Sequence, residues 1–128
     1  MLLIIGNEYF RLMATHIQTG RSGEDLAADF FQSKGYQLIC RNWRHRHWEV
    51  DIIALHNDIL HFIEVKTKTT DHFGYPEDEV DDKKMIHLQQ AAEAYLERFP
   101  EWERIQFDIL AITLKPELKF FLLEDVYL

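Results

Sequence analysis

Residues Trp48–Lys68 read WEVDIIALHNDILHFIEVKTK, and they decide the architecture. Two runs alternate apolar with polar residues, and Asn57-Asp58 separates them. Period-2 alternation rich in Val, Ile, Leu and Phe argues strand, and Asn-Asp between such runs argues a two-residue hairpin turn. Residue 56 then opposes 59, 55 opposes 60, and the pairing continues outward. This register sets Asp51 opposite Glu64 and Glu49 opposite Lys66, all four side chains on one face.

Directly opposed like charges destabilise a hairpin, so facing Asp51 with Glu64 gains nothing unless a positive group sits between them. Two carboxylates beside a lysine suit a hard cation such as Mg²⁺ or Mn²⁺, which takes carboxylate oxygens and keeps waters for a phosphate. Such an ion polarises a phosphodiester and lowers the pKa of a bound water. Lys66 would orient that water or neutralise charge developing on phosphorus. The plainer account is an exposed polar face with Glu49 and Lys66 paired across the strands. Relief of repulsion also predicts a metal-free Asp51→Ala variant at least as stable as the wild type.

An amphipathic helix followed by D-x12-E-V-K resembles the PD-(D/E)XK nuclease superfamily. The chain is more closely similar to the bacterial YraN-like family. The resemblance rests on Gly23-Glu24, Gly35-Tyr36, Arg41-Asn42, Glu49-Val50-Asp51-Ile52-Ile53-Ala54, Phe62-Ile63-Glu64-Val65-Lys66, Gly74, Pro76, Lys84, Tyr95-Leu96 and Phe107-Asp108, and spans about residues 16–128. Trp48 stands where the family usually has Gly, and Gln106 where it usually has Arg. The resemblance implies a restriction-endonuclease-like αβββαβ core. It also implies a metal held by Asp51 and Glu64 with the Val65 carbonyl as a further ligand, and a first-helix glutamate, Glu24, near that metal. Glu49 would pair with Lys66 or assist the metal.

The remaining composition bounds these readings. At 128 residues the chain fits one domain. An apolar content of 47% argues against disorder. The lone Cys40 cannot form an internal disulfide, which with no zinc-ligand set makes a reducing, cytoplasmic setting the default. MLLII is too short for a signal h-region, and no apolar run is long enough to span a bilayer. A net charge of −8 argues against indiscriminate coating of DNA. The basic run Arg41–His47 nevertheless offers Arg41, Arg44 and Arg46 as phosphate contacts just before the candidate site, with a solvated loop as the common alternative. Lys68 and Lys84 join them, Lys84 because it occupies a helix's first turn, where the dipole gives a cation no help.

Along the chain, residues 1–15 read as an N-terminal extension, a poorly ordered arm, with Met13 as an alternative start. Ser22 caps a helix whose stripe is Leu26, Ala27, Phe30 and Phe31, and Gly35 ends it. Glu24 in its first turn suits the dipole as well as it suits a metal. Tyr36–Trp43 reads as a strand, with Arg44–His47 as the loop after it. His45 and His47 would need a third ligand to hold a metal. Trp43 and Trp48 suit core packing or base stacking. Thr67–Val80 reads as a loop broken by Gly74 and Pro76. Asp81 or Asp82 caps a helix over 83–98 with core positions Met85, Leu88, Ala92, Tyr95 and Phe99. Arg104–Leu114 and Lys119–Leu123 are further strands. Asp108 within the first of them reads as a satisfied buried acid or a support for the site.

The expected class is therefore α/β, a mixed central sheet flanked by helices over a single domain at 16–128. The expected function is metal-dependent hydrolysis of phosphodiesters in DNA, branched or repair-intermediate DNA included. The alternatives are a catalytically silent nucleic-acid-binding module of the same fold and an adaptor using the acidic face. No membrane contact is expected. A homodimer follows only by analogy with nucleases of this fold.

Overall fold

A computed structural model describes residues 2–5, 22–70 and 81–126. These comprise β1 (Leu2–Ile5), α1 (Gly23–Ser33), β2 (Gln37–His45), β3 (Trp48–His56), β4 (Ile59–Thr70), α2 (Asp82–Arg98), β5 (Ile105–Lys115) and β6 (Lys119–Leu123). The sheet order is β1-β6-β5-β4-β3-β2. Only β4 and β5 run parallel, and α2 lies in the crossover between them. From α1 to β5 the order is αβββαβ, as expected for a restriction-endonuclease-like core.

The central hairpin follows from its turn. Asn57 and Asp58 adopt φ of 52° and 64°, the left-handed pair of a type I′ turn. That turn fixes the register His56↔Ile59, Leu55↔Leu60, Ala54↔His61, Ile53↔Phe62 and Ile52↔Ile63. Alternate residues then feed two cores. Ile52, Ala54, Ile63, Leu110 and Phe120 pack under α1, while Ile53, Phe62 and Ile109 pack under α2. Full burial of each such side chain contributes about 1.5–3 kcal/mol.

Both helices start and stop on identifiable groups. The Ser22 hydroxyl accepts from the Asp25 amide at 3.2 Å. Asp81, rather than Asp82, caps α2 by accepting from the Lys83 and Lys84 amides. At the end of α1, Gly35 takes φ of 89°. Tyr36 N–H bonds to Phe31 C=O and Gly35 N–H to Gln32 C=O, while the Tyr36 and Phe31 rings pack 4.9 Å apart. This is a Schellman stop, which glycine permits at no Cβ cost.

Five readings change. Residues 2–5, read within an N-terminal arm, form strand β1 on β6; the rest of that arm lies outside the described residues. The strand over 36–43 extends through Arg44 and His45, and a turn at Arg46-His47 leads into Trp48. Thr67–Thr70 continue β4 because β5 pairs with them as far as Thr70↔Lys115. The rest of the expected loop, with Gly74 and Pro76, falls outside the described residues. Phe99 is the C-cap of α2 and is exposed, not core. Asp51 and Glu64 are not ladder partners, for the register ends at Ile52↔Ile63.

Candidate metal centre

That last difference makes the site. Beyond Ile52, β3 stays with β2 through Trp43↔Val50, Arg44↔Glu49 and His45↔Trp48. Beyond Ile63, β4 stays with β5 through Glu64↔Ile109, Val65↔Leu110 and onward. Each strand is held by its outer neighbour, so β3 and β4 part like a fork at Asp51 and Glu64. The Val65 amide, which has lost its ladder partner on β3, donates instead to Asp51 Oδ2 at 2.8 Å.

A second convergence closes the fork from the α1 side. A Cβ on Gly23 would lie 2.0 Å from Thr67 Oγ1 and 3.0 Å from Thr67 Cβ. Only glycine lets the start of α1 approach β4 so closely. That approach delivers the next residue, Glu24, to the fork. Ligand oxygens of Glu24, Glu49 and Asp51 all lie within 4.8 Å of one another.

The electrostatics match the geometry. Burial pushes the Asp51 carboxyl up to about 6, and the negative charges of Glu24, Glu64 and Glu49 push the same way, against the Val65 hydrogen bond. Glu64 bonds Lys66 Nζ through Oε1 at 3.1 Å. Its other oxygen, Oε2, is buried with no hydrogen-bond partner among the described residues. The clustered oxygens of Glu24, Glu49 and Asp51, with the orphaned Glu64 oxygen beside them, form a donor set that fits a hard divalent cation.

A cavity of about 200 Å³ opens beside the cluster, with Glu49, Asp51, Glu64 and His47 on the sheet side and Lys84 and His87 on α2. The Lys84 ammonium is held below the ordinary lysine range by its hydrogen bond with Lys66, by burial and by the Lys66 charge. Lys84 therefore faces the carboxylates across the cavity, while Lys66, on the same strand as Glu64, is bonded to it.

The remaining expected site residues are distributed differently. Glu49 does not pair with Lys66; it pairs with Arg44 at 3.3 Å and joins the carboxylate cluster. The close cluster contains Glu24 and Glu49 with Asp51, whereas Glu64 flanks it. Arg41 is held by Asp25 at 2.8 Å, and the same contact keeps the Asp25 carboxyl below its usual range. Arg46 stands at the hairpin turn with φ of 58°. Lys68 lies on β4, two residues past Lys66. His45 and His47 point into different cavities, so they do not form a joint metal site. His87 carried no signal in the sequence, since a lone histidine on an exposed helical position looks like ordinary surface. Asp108 lies away from the cluster, fully buried and satisfied by His61 Nδ1, Gln106 Nε2 and the Asp125 amide.

Residues 23–112 match the uncharacterised protein family UPF0102. The chain belongs to that family. It is 43% identical to a UPF0102 protein of Cytophaga hutchinsonii, over 77% of this chain and 87% of the relative. A UPF0102 protein of Flavobacterium johnsoniae is 41% identical, over 78% and 85%. One from Chlorobium phaeobacteroides is 45% identical, over 73% and 75%. The matched span of this UPF0102 protein runs from Gly23 to Ile112 and so includes the whole carboxylate cluster. No helix among the described residues is long and apolar enough to cross a membrane.

Proposed function

We propose that this UPF0102 protein is a divalent-metal-dependent endonuclease of the PD-(D/E)XK superfamily, hydrolysing phosphodiesters in DNA. One observation carries the reading: Glu24, Glu49 and Asp51 converge within 4.8 Å at a strand fork, with Glu64 and Lys66 beside them. A chain that buries Asp51 among other carboxylates, so that burial first and their charges next push it up to about 6, gives up stability that a bound cation would return.

Asp51, Glu49 and Glu24 would hold Mg²⁺ or Mn²⁺, with Glu64 and the Val65 carbonyl as additional oxygens. The ion would supply Lewis-acid polarisation of the phosphate and a bound water of lowered pKa. The chain's own part is positioning. Lys66, fixed by Glu64, holds the attacking water in line, and Lys84 on α2 faces the phosphate from across the cavity. Arg44 and Arg46, both exposed at the end of the β2–β3 hairpin, would contact backbone phosphates, Arg44 once a phosphate competes with Glu49 for it.

The test is cleavage of branched, nicked and single-stranded DNA in Mg²⁺ or Mn²⁺ by wild type and Asp51→Asn. Metal-dependent cutting lost in the variant supports the nuclease. Salt-sensitive binding with no cutting by either protein replaces it with a nucleic-acid-binding module.

A further inference from the structure

Three consecutive residues at the start of α1 reach three adjacent strands. Gly23 meets Thr67 on β4. Glu24 brings a carboxylate oxygen within 4.8 Å of those of Glu49 and Asp51 on β3. Asp25 accepts a hydrogen bond from Arg41 Nη2 on β2 at 2.8 Å. The strands lie in the order β4-β3-β2, so the first turn of α1 straddles the sheet at the fork.

Arg41 projects toward α1. Its ladder partner Ile52 packs in the core under that helix, and ladder partners share a face of the sheet. Asp25 is itself fixed within the turn. Its amide donates to the Ser22 hydroxyl at 3.2 Å, and hydrogen bonds from Ser22 in turn reach the Asp25 carboxylate. This reciprocal arrangement is a capping box. A pull on the Asp25 side chain is therefore a pull on the turn that carries Glu24.

Glu24 needs such a restraint. Its charge and that of Asp51 repel, so in the metal-free protein the cluster drives the start of α1 away. The close contact of Gly23 with Thr67 permits the approach, and the Arg41–Asp25 ion pair supplies a directed attraction that maintains it.

We infer that Arg41 is a positioning residue of the metal centre: through Asp25 it holds the first turn of α1 over β2, so that Glu24 stands among the carboxylates before a cation arrives. The inference rests on the metal-dependent reading of the cluster, and it assigns Arg41 to organising that site rather than to contacting phosphate. A site whose ligands are already gathered binds its ion more tightly, because the ion does not have to gather them. The sign of the effect is diagnostic. Arg41 is a cation close to a cation site, so by Coulomb's law alone its loss should tighten metal binding. Loss of a positioning contact should weaken it. Side-chain exposures of 38% and 37% limit the pair to a several-fold effect.

The test is calorimetric titration of Mn²⁺ at pH 7.5 into metal-free wild type, Arg41→Gln, Arg41→Lys, Asp25→Ala and the Asp25→Ala/Arg41→Gln double variant, with urea melts to establish that each is folded. Arg41→Gln should bind Mn²⁺ about three- to fivefold more weakly than wild type. Arg41→Lys, which still donates to Asp25, should stay within about twofold of wild type. In the Asp25→Ala background Arg41→Gln should add no further loss, the mark of two residues acting as a pair. Equal or tighter binding by Arg41→Gln, or additive losses in the double variant, overturns the inference. If oligonucleotide binding in EDTA also weakens, with a salt slope lower by about one, Arg41 is a phosphate contact instead. The two readings fail separately. A wild type that binds no Mn²⁺ removes the metal centre and the role of Arg41 with it; a wild type that binds, matched by Arg41→Gln, removes only that role.

Discussion

The Asp51 carboxylate accepts the Val65 amide at 2.8 Å, so a side chain completes the hydrogen-bond pattern where β3 and β4 part. The same group is pushed up to about 6 by burial and by Glu24, Glu64 and Glu49. It is structurally required and electrostatically penalised.

Asp51→Asn separates those two roles, because its carboxamide oxygen still accepts from Val65. The folded carboxyl titrates above its unfolded value of 3.8, so the folded state holds the proton more tightly. Wild-type stability is therefore full below about pH 4 and falls as pH rises through about 6. Allowing for residual exposure, the loss is about 1–2 kcal/mol. Without metal, Asp51→Asn should be the more stable protein at pH 7.5 by that amount and equal to wild type near pH 4. Urea melts at both values measure it; parallel pH curves would exclude the charge conflict. The expectation that Asp51→Ala is at least as stable does not carry over, since alanine leaves the Val65 amide without its acceptor, which costs about 1–3 kcal/mol.

Metal should reverse the ranking. At a hundredfold excess over Kd, Mn²⁺ or Mg²⁺ stabilises a binding protein by about 2.7 kcal/mol, and Asp51→Asn should gain far less. A cation must displace the proton on Asp51, so affinity should fall steeply once pH drops below about 6. Calorimetric titration at pH 7.5 and pH 5 checks this. Equal affinities would remove Asp51 from the ligand set.

Gly23→Ala tests whether the approach of α1 matters to the site. The added methyl meets Thr67 Oγ1 at 2.0 Å, which should cost about 1–3 kcal/mol and draw Glu24 away from Asp51. Thr67→Ala in the same chain removes the obstructing oxygen and should restore most of the stability and the metal response together. Recovery of stability without recovery of metal binding would separate Glu24 from the cluster.

What the sequence reveals here is local. Asn57-Asp58 and the alternation around it dictate the hairpin register as far as Ile52↔Ile63, and Ser22 and Gly35 mark both ends of α1. The fork is not local. It exists because β2 keeps hold of β3 while β5 keeps hold of β4, and no pattern within residues 48–68 announces that competition. Extending the ladder past Ile52 therefore predicts an Asp51–Glu64 pairing that the strands do not make. Glu24 could be associated with these carboxylates only through the resemblance, for its spacing alone fits a helix dipole equally well. The pairing of Leu2–Ile5 with β6 joins opposite ends of the chain and leaves no periodic trace.

Asp108 shows a buried acid that is structural. It accepts from His61 Nδ1 at 2.6 Å, Gln106 Nε2 at 2.9 Å and the Asp125 amide at 2.9 Å. Asp108→Ala leaves all three buried or half-buried donors without that acceptor and should cost about 3–5 kcal/mol. The metal affinity of the protein that remains folded should match wild type. A loss of metal binding out of proportion to the loss of stability would connect Asp108 to the site.

The final prediction concerns Lys84, which Lys66 holds below the ordinary lysine range by a hydrogen bond and by like charge, with burial acting in the same direction and Glu64 and Asp81 opposing. Only the neutral amine attacks an acylating reagent, so Lys84 should label faster than Lys83 beside it at mildly alkaline pH. Lys66→Met removes the hydrogen bond and the neighbouring charge at once, and Lys84 should then slow by several-fold while Lys83 does not change. Mass spectrometry of the modified peptide reads both rates in one sample. A bound phosphate should slow Lys84 in the wild type as well, because an anion between the two ammoniums favours their charged forms. If Lys84 labels at one rate in wild type, Lys66→Met and phosphate-treated protein, Lys66 does not act on Lys84, and Lys84 loses its place opposite the carboxylates.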